Sequence, residues 1–187
     1  MTYYHGSPTG GLTVLRPHLS EHGRPLVYLS ASKPVAAFYL CKRPYMWYTY
    51  GFDPDGTPVY TEAFPGQLRG FYGGLPGYLY TCKGDFSVSE LKGIPTAAVS
   101  TETVPVSACE PVDDALSLLQ GYESAGLLRL RHYETLTDEQ KEGQRYMVLS
   151  TIHHHRLLEG KHPLAPFVRE TFPDIWAQAL AEMSSRS

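Results

Sequence analysis

The chain has 187 residues, 42% of them hydrophobic and 19% charged, which is the size and balance of one soluble globular domain able to bury its own core. The net charge is −3, with acids and bases scattered, which argues against the phosphate-backbone footprint of a general nucleic-acid binder. Cys41, Cys82 and Cys109 are too few and too widely spaced for a disulfide framework or a zinc knuckle. There is no basic, apolar opening segment and no run near the roughly 18 apolar residues of a membrane span, so the expectation is a cytoplasmic protein without a membrane partner.

Taken in order, residues 2–5 predict a short first strand that places His5 at its end. Gly6-Ser7-Pro8 then turns the chain, and Gly6 lets a ligand approach the backbone closely. Residues 12–15 are apolar and predict a strand or half-turn. Residues 26–29 form an apolar, aromatic strand that breaks at Ser30, Ala31 and Ser32, and Pro34 sits where the first turn of a helix tolerates a missing N–H. That helix is expected to reach about residue 42 and to stop before Pro44. Tyr28 at the strand end and Tyr39 on the apolar helix face then converge on one cleft, where two phenols can hold a flat ring.

Residues 45–50 and 58–64 predict further strands about the Asp55-Gly56 turn, and the five glycines within residues 66–77 predict a lid or a tightly turning loop. Strands follow at 77–82, 96–100 and 104–108, with Glu102 held just before the last of these. Pro111, followed by Asp113 and Asp114, predicts a helix start, and Gly126 a helix stop. Residues 127–133 alternate as a half-buried strand, Thr137 to Gln140 has capping-box spacing, and a last helix begins at Pro173. The fold class is therefore α+β: short strands with flanking helices in residues 1–135, and a helical C-terminal extension, 136–187, packed on the same domain. His153, His154, His155 and His162 lack the i, i+4 spacing and the extra ligand of a metal site, so no metal is expected.

Three parts remain in a fixed order: His5-Gly6-Ser7; Tyr28-Leu29-Ser30-Ala31 with Tyr39 eleven residues after Tyr28; and Ser100-Thr101-Glu102 running into Val104. This pattern resembles the ADP-ribosyltransferase superfamily, in its His-Tyr-Glu branch of diphtheria-toxin-like and poly-ADP-ribose-polymerase-like enzymes. The resemblance implies a split β-sandwich fold, NAD as substrate, and transfer of ADP-ribose to an acceptor that is a protein, a nucleic acid or a small molecule. It also implies that Tyr28 and Tyr39 sandwich nicotinamide, that His5, Gly6, Ser7 and Ser30 complete the NAD site, and that Glu102 is the catalytic acid, with Glu62 and Glu110 as competitors for that role. Ala36 stands where such enzymes often carry a serine. The alternative is a non-catalytic module on the same fold that binds NAD, ADP-ribose or a partner protein. An RNA 2′-phosphotransferase ranks lower, because Arg16, Arg24 and Arg129 are not arranged to grip a phosphate.

Overall fold

The structure, a computed structural model, describes residues 1–19, 23–42, 50–91 and 94–185. The strand expected at 45–50 falls outside the described residues except for Tyr50. The first part of the chain contains β1 (Thr2–Ser7), β2 (Val14–Leu15), β3 (His18–Leu19), β4 (Pro25–Ser30), α1 (Lys33–Phe38), β5 (Tyr50–Phe52), β6 (Pro58–Thr61), α2 (Gln67–Tyr72) and β7 (Gly77–Lys83). Then come β8 (Ser89–Glu90), β9 (Ala97–Ser100), β10 (Val104–Pro105), β11 (Ala108–Val112), α3 (Ala115–Ser124) and β12 (Arg129–Arg131). The chain closes with α4 (Asp138–His154), α5 (Ala165–Thr171) and α6 (Pro173–Ser184). No helix among the described residues is long and apolar enough to cross a membrane.

The main sheet is antiparallel, in the order β11-β7-β1-β4-β9-β8, with β3 also paired to β4. Strand alternation sends Tyr3, Val27, Leu29, Cys82 and Ala98 into a small apolar cluster with Leu15 and Val104. The opposite face carries α1 and the larger cluster, in which Val35, Phe38 and Leu79 join Leu119 of α3, Ile152 of α4, Val168 of α5 and Ile175 of α6. A second sheet has antiparallel β5 and β6 with β12 running parallel to β6. Its outward arginines behave as the alternation predicts: Arg129 binds Asp53 and Asp55, and Arg131 binds Asp53 at 2.7 Å.

Several elements differ from the sequence expectation for identifiable reasons. The segment at 66–77 is not a loop, because Gln67–Tyr72 forms α2. Buried Glu62 accepts from the backbone N–H of Leu68 at 2.7 Å, and the Gln67 side chain accepts from that of Ala63 at 2.6 Å. Pro111 does not start a helix. It sits opposite Tyr78 in β11, an edge strand where a missing N–H is tolerated, and α3 begins later with Asp114 as its cap. Helix α1 ends at Phe38, and residues 39–41 tighten into i→i+3 bonds such as Leu40 N–H to the Ala37 carbonyl at 3.2 Å. The capping box at Thr137 and Gln140 forms as its spacing requires.

Candidate functional site

The junction of β4 and α1 is built by small hydroxyls. Ser32 caps α1 by accepting from the Val35 N–H, and Pro34 occupies the first turn. The Ser30 hydroxyl accepts from the Ser32 N–H at 3.0 Å and meets the Thr96 hydroxyl at 3.1 Å, while the Ala31 N–H donates to the Thr96 carbonyl at 2.8 Å. Thr96 is held at φ +67°, a left-handed conformation that a β-branched residue adopts only when its surroundings compel it. These contacts pin the start of β9 against the end of β4, where Ser30 pairs with Ala97.

A cleft of about 470 Å³ opens at this junction. His5 and Gly6 of β1, Tyr28 and Ser30 of β4, and Tyr39 after α1 all line it. The structure thus brings together five of the residues singled out from the sequence. Tyr4, His18, Lys42, Tyr50, Ile94 and Ala97 also contribute to the wall. The Tyr39 and Tyr50 hydroxyls lie 3.1 Å apart, and burial, reinforced by Tyr50, pushes the Tyr39 phenol well above its ordinary range, so it stays protonated.

His5 is oriented by the backbone of the paired strand β4. Its Nδ1 lies 2.8 Å from the Tyr28 carbonyl oxygen, which only accepts, so Nδ1 carries the proton and Nε2 presents a lone pair. Burial is the main cause holding its pKa below the usual histidine value. The ring is therefore a neutral acceptor at neutral pH, suited to a sugar hydroxyl.

Two other expected site residues lie elsewhere. Ser7 is buried at the end of β1, where its hydroxyl accepts from the Thr9 N–H at 3.1 Å, and it does not line the cleft. Glu102 is likewise separated from the cleft. Antiparallel register puts Ala97 beside Ser30 and Ser100 beside Val27, so Glu102 lies past the far end of β9, with about 10 Å of strand between Ala97 and Ser100 alone. The exposed carboxylate of Glu102 accepts from the Ser87 N–H at 3.3 Å and from its hydroxyl at 3.2 Å.

The competing acids are also engaged away from the cleft. Glu62 is 2% exposed and accepts from the backbone N–H groups of Leu68 and Tyr133, and Glu110 pairs with Lys33 at 2.6 Å. No Asp or Glu among the described residues lines the cleft. Nor do the described residues contain a group of three or more His, Cys, Asp or Glu side chains arranged to hold a metal ion.

Sequence reasoning missed His18, Lys42 and Tyr50. Lys42 had a usable signal, since it follows Tyr39 by three residues and so falls on the same side of a helical turn. His18 and Tyr50 enter the cleft only through tertiary folding. Compared with known proteins, the chain matches no family model, no curated protein and no solved structure.

Proposed function

We propose that this protein holds NAD, or a nucleotide bearing an ADP-ribose unit, with its flat ring between Tyr28 and Tyr39. One observation carries the reading: the His-Gly pair, the Tyr-x-Ser strand end and the helix-end tyrosine that the resemblance marks all line a single aromatic cleft. Its volume suits a small nucleotide-sized ligand. Phenol faces attract a cationic pyridinium ring through stacking and cation–π contact, and a neutral His5 accepts a ribose hydroxyl at Nε2.

ADP-ribosyl transfer is the second reading, favoured by the same tyrosine pair, which would grip nicotinamide as a leaving group. Breaking the nicotinamide–ribose bond develops positive charge on the sugar, and a carboxylate in contact is the usual means of stabilising it. The described lining offers phenols, imidazoles and an ammonium group but no carboxylate, so binding stands ahead of turnover.

Calorimetric titration with NAD, followed by chromatography for free nicotinamide, separates the two. We expect saturable NAD binding that Tyr39→Ala weakens by roughly tenfold, the equivalent of about 1.4 kcal/mol. Glu102→Gln is expected to leave both measurements unchanged. Nicotinamide release abolished by Glu102→Gln would restore that acid and the transferase reading, whereas a folded protein that takes up no NAD overturns both.

A further inference from the structure

We infer that Lys42, with His18, forms an anion-binding end of the cleft and makes it select ligands that carry phosphate. This inference rests on the nucleotide reading of the same cleft and adds the ligand class: a ring and ribose ending in phosphate or diphosphate.

The two residues come from separate segments, the turn after α1 and strand β3, yet both line the wall that holds His5, Tyr28 and Tyr39. After burial, Lys42 and then His18 contribute to lowering the pKa of His5, which places all three groups in one electrostatic neighbourhood. Several cations elsewhere are paired with acids: Lys33 binds Glu110, Arg131 binds Asp53, and Arg156 binds Glu159. Lys42 has no carboxylate partner among the described residues; it is exposed to solvent, and the protein around it still lowers its pKa through desolvation.

An ammonium group at a cleft wall that offers it no acid among the described residues gains from pairing with an incoming anion. The chain as a whole is acidic at −3, yet this cleft gathers basic side chains and, among the described residues, no acid. Its polarity is thus opposite to the average surface, the arrangement that draws an anion in from solution. Tyrosines and a cation with no acid partner among the described residues, lining one cleft, suit an amphiphilic ligand, with an aromatic ring joined through a sugar to phosphate. Lysine serves here as a point charge and needs no bidentate geometry.

The test compares NAD with nicotinamide riboside, which keeps the ring and ribose but has no phosphate, at low and high salt. Wild type is expected to bind NAD at least about tenfold more tightly than the riboside, with only the NAD affinity falling steeply with salt. Lys42→Gln should erase most of that ratio, Lys42→Arg should retain it, and Lys42→Gln with His18→Gln should lower it further. Lys161→Gln, which removes the same charge outside the cleft lining, should behave as wild type. An undiminished ratio in Lys42→Gln overturns this inference while leaving the nucleotide reading intact. Failure of wild type to bind either ligand overturns the nucleotide reading, and this inference with it.

Discussion

A Cβ placed on Gly6 would stand 2.1 Å from the carbonyl oxygen of Ala36 and 3.3 Å from the backbone nitrogen of Leu40. The glycine is thus required by the close approach of α1 to β1, before any ligand is considered. The same contact sets the cleft, because α1 delivers Tyr39 to a wall that β1 supplies with His5. Gly6→Ala therefore forces the helix away from the strand. It is expected to cost about 2–3 kcal/mol of stability, read as a lowered unfolding midpoint in urea. It should also weaken NAD binding, because the rings separate. A stable Gly6→Ala protein with full affinity would show that the helix can shift without disturbing the cleft. Ala36, which supplies that carbonyl, is itself 1% exposed and lines the cleft, so the tight packing of helix on strand and the shape of the site have one cause.

Helix α2 has only six residues and no side-chain bond at its own cap position, so its start is fixed from outside. Glu62 does this with one oxygen on the Leu68 N–H, while its other oxygen accepts from the Tyr133 N–H at 3.0 Å, tying α2 to the turn after β12. Glu62→Gln replaces one acceptor by an amide donor facing a backbone N–H. It is expected to cost about 2 kcal/mol, with earlier amide exchange at Leu68 or Tyr133 identifying which end is lost. Equal stability of wild type and Glu62→Gln would mean that the clasp is dispensable. This helix also shows where sequence reading runs out. Elements with their own local signals were legible: the Ser32 and Pro34 start of α1, the capping box of α4, and the turn at Gly56, held at φ +80°. Helix α2 was not, because its caps come from residues outside it and its glycines imitate a loop. The cleft followed the same division. His5, Tyr28 and Tyr39 were legible from local order, whereas the position of Glu102 depends on the register of β9 against β4, a pairing across some seventy residues that no local pattern encodes.

At the scale of the whole molecule, the question is whether the three C-terminal helices are an accessory or part of the core. The larger apolar cluster answers in terms of packing, since Phe38, Tyr60 and Tyr72 belong to it together with Ile152, Leu157, Val168 and Ala179. The joint is aromatic: Phe64 lies 6.0 Å from Phe167 and 5.6 Å from Phe172 by ring centroids, and Phe71 lies 6.4 Å from Phe167. Val148, Ile152 and Val168 are buried within this same cluster. A chain ending at residue 135 would keep the β-strands and the cleft residues but expose Phe64, Phe71 and Leu68 to water. Exposing these three, at up to about 1.5–3 kcal/mol each, costs on the order of 5–9 kcal/mol, comparable with the whole 5–15 kcal/mol of net stability an average domain holds. Such a chain is therefore expected to lose cooperative unfolding and to bind an apolar dye, although every cleft residue is still present. A cooperative transition near that of the full chain, with NAD binding retained, would mean that residues 1–135 fold alone and that the helices only decorate them.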